Sequence, residues 1–147
     1  MKFWDSSALL ALLLEERRSA AVLAILHNDP DAAVWCLTEV EIESGLAGRC
    51  REGLDPEDER AAMARLCDLR ERWHEVVALE QVRRRAVRLL RVHPLNAADS
   101  LQLGAALVLC SEQPDALPFV CLDEKLAAAA AREGFLVLPD GGLSRIV

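Results

Sequence analysis

Short apolar runs alternate along this chain with longer stretches of helical periodicity. Residues 2–4, 32–37, 75–79, 118–122 and 135–138 read as strands. All but 75–79 are nearly continuous in apolar side chains, as strands buried on both faces are. Between them, 8–26, 39–50, 56–73, 80–92, 97–110 and 124–133 carry apolar residues at helical spacing. Alternation of this kind predicts a three-layer α/β/α sandwich around a mostly parallel central sheet.

Local signals mark several of these boundaries. Asp55-Pro56 places a cap residue before a proline at the first helical position. Thr38 and Glu41 have the spacing of a capping box, and Asn96 and Asp99 repeat it with a shorter acid. Gly53 and Gly134 fit helix ends, and Gly141-Gly142 fits a turn before the tail.

A chain of 147 residues is long enough to bury a core as one domain. With 52% hydrophobic but only 4% aromatic residues, that core must be built from Ala, Leu and Val. Seventeen Lys and Arg against 24 Asp and Glu leave a net charge of -7, which argues against coating nucleic acid nonspecifically. The five cysteines form no CxxC pair and no zinc spacing, and an odd count fits a reducing cytoplasm. Met1-Lys2-Phe3-Trp4 runs straight into Asp5, leaving no room for a targeting segment, and no stretch has the length and apolarity of a membrane span.

Four acids stand where an apolar segment meets a helix start: Asp5, Glu41, Asp99 and Asp123. Each has a plain structural explanation as a helix cap or capping-box member. Asp5 and Asp123, however, share one kind of position, just past the carboxyl end of a strand, where open α/β sheets bind ligands. Asp99 opens a helix that is apolar nearly all round, in line with Leu103, Ala106 and Cys110. Glu41 lies in line with Gly45 and near Ser44, small residues expected to leave space around its carboxylate, whereas Glu39 and Glu43 fall on the adjacent face. Like charges about 4 Å apart at an effective dielectric near 20 repel by about 4 kcal/mol per pair. A divalent cation between them removes that cost.

The chain resembles PIN-domain proteins, specifically the VapC-type toxins of bacterial toxin–antitoxin pairs. The resemblance is carried by Phe3-Trp4-Asp5-Ser6-Ser7-Ala8-Leu9, Leu37-Thr38-Glu39-Val40-Glu41, the run from His93 to Leu103 containing Asn96-Ala97-Ala98-Asp99, and Phe119-Val120-Cys121-Leu122-Asp123-Glu124-Lys125-Leu126. It covers 1–147 as a single PIN domain, with Trp4 standing where an aliphatic residue is expected.

The resemblance implies a magnesium- or manganese-dependent ribonuclease neutralised by a cognate VapB-type antitoxin, and a homodimer. Asp5 and Asp99 would be the principal metal ligands and Asp123 would complete the site. Glu41 would bind metal or orient the attacking water, with Ser6 in support. Among the arginines, Arg84, Arg88 and Arg91 share one helix face and are candidates for gripping RNA. The stretches 9–14 and 22–26 are expected to expose apolar surface for antitoxin or dimer contacts. His27, His74 and His93 are isolated and read as structural or surface residues.

Two rivals stand beside this reading. One is a PIN scaffold that binds RNA or a protein partner without cutting. The other is a receiver-like signalling module, which needs an acid pair after the first strand; only Asp5 is present, and Lys125 lies beside Asp123 instead of ending its own strand.

Overall fold

A computed structural model describes residues 1–139, which leaves the expected turn at Gly141-Gly142 outside the described residues. Five strands form one sheet: β1 (Lys2–Trp4), β2 (Ala32–Trp35), β3 (His74–Val76), β4 (Phe119–Val120) and β5 (Val137–Leu138). Their order is β3-β2-β1-β4-β5 and all four pairings are parallel. Receiver-like domains of the doubly wound class use the order 2-1-3-4-5, so this arrangement removes that rival. The chain winds outward from β1 through β2 to β3, then returns to β4 on the other side of β1. That reversal makes the β1–β4 junction the switch point of the sheet, where a crevice opens beyond the strand ends.

Seven α-helices cover the two faces: α1 (Ser6–Leu13), α2 (Ser19–Asn28), α3 (Thr38–Arg51), α4 (Pro56–Arg70), α5 (Leu79–Val92), α6 (Ala97–Leu109) and α7 (Glu124–Arg132). Because side chains alternate across a strand, Phe3 and Trp4 enter different cores. Phe3 stacks on Phe119, ring centroids 5.4 Å apart, in a cluster with Leu89, Leu103 and Leu126 from α5, α6 and α7. Trp4 packs with Leu9, Ile42, Leu46 and Leu66 from α1, α3 and α4. The core is therefore divided by the sheet into two layers, and the indole that replaces an aliphatic residue is fully buried.

Three expectations need correction. The single helix predicted over 8–26 is two helices. The charged run Glu15-Glu16-Arg17-Arg18 cannot continue a buried stripe, so Leu14 turns extended; Arg65 donates to the Leu13 carbonyl at 2.8 Å and Ser19 Oγ to that of Leu14 at 2.6 Å. As a result, 9–14 is not exposed apolar surface: Leu9, Leu13 and Leu14 are buried. On α2 only Val22 is buried, and Leu23 is 46% exposed. Second, the capping box at Thr38 is not formed. Leu37 occupies the cap position without a side-chain hydrogen bond, and Thr38 and Glu41 both turn to α6. Third, the space expected at Gly45 is taken by Leu10, whose Cδ2 lies 2.8 Å from where a Cβ would stand. That glycine serves the close approach of α1 and α3, not the room around Glu41.

Other boundaries agree with the sequence. Asn96 caps α6 by accepting from the Asp99 amide at 2.8 Å, and Pro56 opens α4. Gly53 and Gly134, at φ of 102° and 103°, terminate α3 and α7 in the left-handed region open to glycine. No helix among the described residues is long and apolar enough to cross a membrane.

Candidate metal centre at the sheet switch point

The carboxyl end of β1 delivers Asp5 directly to the switch point. Its amide donates to the Val120 carbonyl of β4 at 3.0 Å, which ties the start of α1 to the end of the neighbouring strand. Asp5 is the N-cap of α1 and is only 2% exposed. Its carboxylate accepts from the Ser7 amide at 3.2 Å, from Ser7 Oγ, from Cys121 Sγ at 3.5 Å and from Ser6 Oγ at 3.4 Å. Burial pushes its carboxyl upward against the lowering effect of those hydrogen bonds.

The sequence singled out Ser6 as the supporting hydroxyl. Ser6 does reach Asp5, but Ser7 is the more heavily used: its Oγ donates to Asp5 and accepts from the Leu122 amide at 3.0 Å, bridging α1 to the segment after β4. Only the pairing of β1 with β4 in the folded sheet reveals that role.

Asp123 stands after β4, the counterpart of Asp5 after β1. Its Oδ1 accepts from the Leu126 amide at 2.9 Å, so it caps α7. The side chain is exposed, which leaves carboxylate capacity toward solvent. Asp99, in the first turn of α6, is half-buried. Burial raises its carboxyl to about 6, reinforced by the negative charges of Asp123 and Asp5. Glu41, in the first turn of α3, is pushed up to about 7, chiefly by burial; a hydrogen bond from Gln102 opposes this, and Asp5 and Asp99 add to it. Negative charges from distant stretches thus act on Glu41 and on Asp99.

None of the four forms an ion pair with a lysine or arginine among the described residues. Nor, among those residues, is any group of three His, Cys, Asp or Glu side chains already drawn together closely enough to hold a metal ion. Burial is the first cause of the raised carboxyls, and the neighbouring negative charges add to it at Glu41 and Asp99. The charged donors are all hard carboxylate oxygens, which suits magnesium or manganese. Cys121 adjoins Asp5, and burial keeps its thiol well above the usual range, so it is a proton-bearing neighbour and not a thiolate ligand.

Glu39, the competing acid on α3, is drawn away by Arg70 at 2.9 Å. Sequence reasoning missed Gln102 and the use of Thr38: both are fully buried, and the Gln102 amide donates to Thr38 Oγ1 at 2.9 Å and to Glu41 Oε2. A polar residue on an otherwise apolar helix was the available signal.

The arginines of α5 are not brought to the acids. Arg84 pairs with Glu80, and Arg84 and Arg88 line a groove with Leu107, Val108 and Ser111 at the carboxyl end of α6. Asp99 is at the other end of that helix, roughly 13 Å along its axis at the usual rise per residue. Arg91 is exposed near the end of α5. His93 is structural, buried and bonded to Glu133 at 2.6 Å.

Comparison with known proteins agrees with the fold. A solved structure, that of PAE2754 from Pyrobaculum aerophilum, is similar in fold, with a TM-score of 0.64 at 23% identity over 93% of this chain and 90% of that one. A search of curated proteins returned no match. The sequence matches the PIN domain over residues 2–132, which spans all four acids and the whole switch-point crevice. With its parallel sheet and its acids at the strand ends, this chain belongs to the PIN-domain family, a nuclease-type fold.

Proposed function

We propose that this protein is a divalent-metal-dependent ribonuclease and the toxin of a VapC-type toxin–antitoxin pair. The observation that carries the reading is that Asp5 and Asp99 act on Glu41, and Asp5 and Asp123 on Asp99, with no lysine or arginine of the described residues paired to any of the four. Asp5 and Asp99 hold a magnesium or manganese ion, Asp123 completes its oxygen shell directly or through water, and Ser6 and Ser7 fix Asp5. When bound, such an ion lowers the proton affinity of water at the site and neutralises charge building on the attacked phosphate. Glu41 orients the attacking water or joins the ligand set. In the metal-free protein its carboxyl is pushed up to about 7, chiefly by burial.

RNA is the substrate on this reading, and the α5 face of Arg84, Arg88 and Arg91 offers phosphate contacts away from the reacting centre. A cognate VapB-type antitoxin and a second copy of the chain are the proposed partners. The groove between α2 and α4 supports such docking. It has a volume of about 390 Å³, offers Leu23 and Leu26 of α2, and carries Glu15, Arg65, Asp68 and Arg72.

Incubating purified protein with an RNA pool, with and without magnesium or manganese, tests the activity, and sequencing the RNA ends after brief induction identifies the target. Cleavage that needs the ion and disappears in Asp99→Asn is expected. Folded protein that cuts no RNA with either ion points instead to a PIN scaffold that binds without cutting.

A further inference from the structure

Gln102 is the one long polar side chain on the buried part of α6, flanked by Leu103, Ala105 and Ala106, all without exposure. A leucine at this position would fill the layer without importing a polar group. The amide instead reaches across to α3, where its Nε2 donates to Thr38 Oγ1 at 2.9 Å and to Glu41 Oε2. Both acceptors lie within one turn of each other at the start of α3, so the two N–H bonds fix the amide plane as well as its reach.

The amide presents its NH2 end to both Thr38 and Glu41. The cost falls on Gln102 Oε1, which is buried without a hydrogen-bond partner. Leaving a buried acceptor unpaired is unfavourable, and a side chain serving the core alone would not require it. Thr38, the first residue of α3, is buried and its hydroxyl is committed to Gln102. Gln102 thus leaves its own oxygen unpaired while holding Thr38 and one oxygen of Glu41.

We infer that Gln102, anchored on Thr38, is a positioning residue that fixes the Glu41 carboxylate within the acid cluster. The inference rests on the metal-site reading above. A neutral amide fits this role because it restrains one oxygen without cancelling the charge, as a lysine or arginine would. The clamp also couples α3 to α6, so that Glu41 and Asp99 are held in one frame by a bond between their own helices.

Manganese binding by calorimetry, RNA cleavage and thermal unfolding in chelator should be measured on wild type, Gln102→Leu and Thr38→Val. Losing an outer partner of a ligand set typically costs about tenfold or more in metal affinity or activity. Gln102→Leu is therefore expected to weaken manganese binding and lower kcat by about that factor, leaving KM for RNA within about twofold and unfolding in chelator unchanged or raised. Thr38→Val should move the same quantities the same way by less; it carries the test if Gln102→Leu does not fold. Wild-type manganese affinity and kcat in both variants would overturn the clamp while leaving the nuclease reading intact. A wild type that binds manganese but cuts no RNA removes that reading, and the binding isotherms alone then decide the clamp. Absence of manganese binding by the wild type overturns both.

Discussion

The two ends of β1 treat carboxylates in opposite ways. At its amino end, Asp29 receives the chain's own N-terminal ammonium at 2.8 Å and Lys2 Nζ at 2.9 Å, and these cations hold its carboxyl well below the usual range. At its carboxyl end, three residues on from Lys2, Asp5 is buried with no cation from the described residues beside it, and burial pushes its carboxyl up. The first arrangement is complete by itself. The second is complete only with protons or with a cation from outside. On the proposed function, the acids left unpaired at the second end await a divalent cation.

Exchanging the two kinds of acid for amides sharpens this contrast most. Asp99→Asn is expected to abolish metal-stimulated cleavage, a loss on the order of a hundredfold or more, equivalent to about 2.7 kcal/mol of transition-state stabilisation. The same variant should unfold at a higher temperature than wild type in chelator, because one repelling charge is gone. Equal cleavage, or lower stability in chelator, would break the comparison.

Acidity provides the next test, with opposite signs at the two ends. Asp5, Glu41 and Asp99 are raised above their unfolded range near 4, so the metal-free folded chain binds protons more tightly than the unfolded one. Their contribution to stability is full below about pH 4 and is lost as pH rises through about 6 and then about 7. Asp29 is lowered, so its contribution is present above about pH 4 and lost as pH falls below that range. Melting curves in chelator should therefore show Asp99→Asn flattening the decline above pH 5. Manganese should stabilise wild type more at pH 8 than at pH 5.

Smaller effects are expected farther from the site. Replacing Arg84, Arg88 and Arg91 together by alanine should raise KM for RNA a few-fold and reduce its salt dependence, with kcat unchanged, because these side chains lie away from the reacting centre. A fall in kcat at constant KM would place them nearer to the chemistry. Asp29→Asn is expected to lower stability by about 1 kcal/mol or less, the range for partly exposed ion pairs, and to leave cleavage at the wild-type rate.

Much of the fold was legible in the sequence because strand burial and helix periodicity are local signals. The five runs found by pattern correspond to the five strands, and most helices agree to within a residue or two. The failures have physical reasons. The break between α1 and α2 was hidden by apolar residues on both sides of Glu15–Arg18, and only the carbonyl caps from Arg65 and Ser19 show how the chain turns there. Thr38 and Glu41 carry a local capping pattern, yet a partner 61 residues from Glu41 outcompetes it. That competition, like the bridge made by Ser7 to Leu122, depends on tertiary neighbours that spacing does not encode.

Titrating manganese into the metal-free protein at pH 7.5 by calorimetry, for wild type and Asp99→Asn side by side, probes the carboxyl end of β1 most directly. Saturable binding by wild type, accompanied by proton release into the buffer and lost in the variant, is the predicted result. Binding that is absent from wild type, or that survives unchanged in Asp99→Asn, would contradict a shared cation among these four acids.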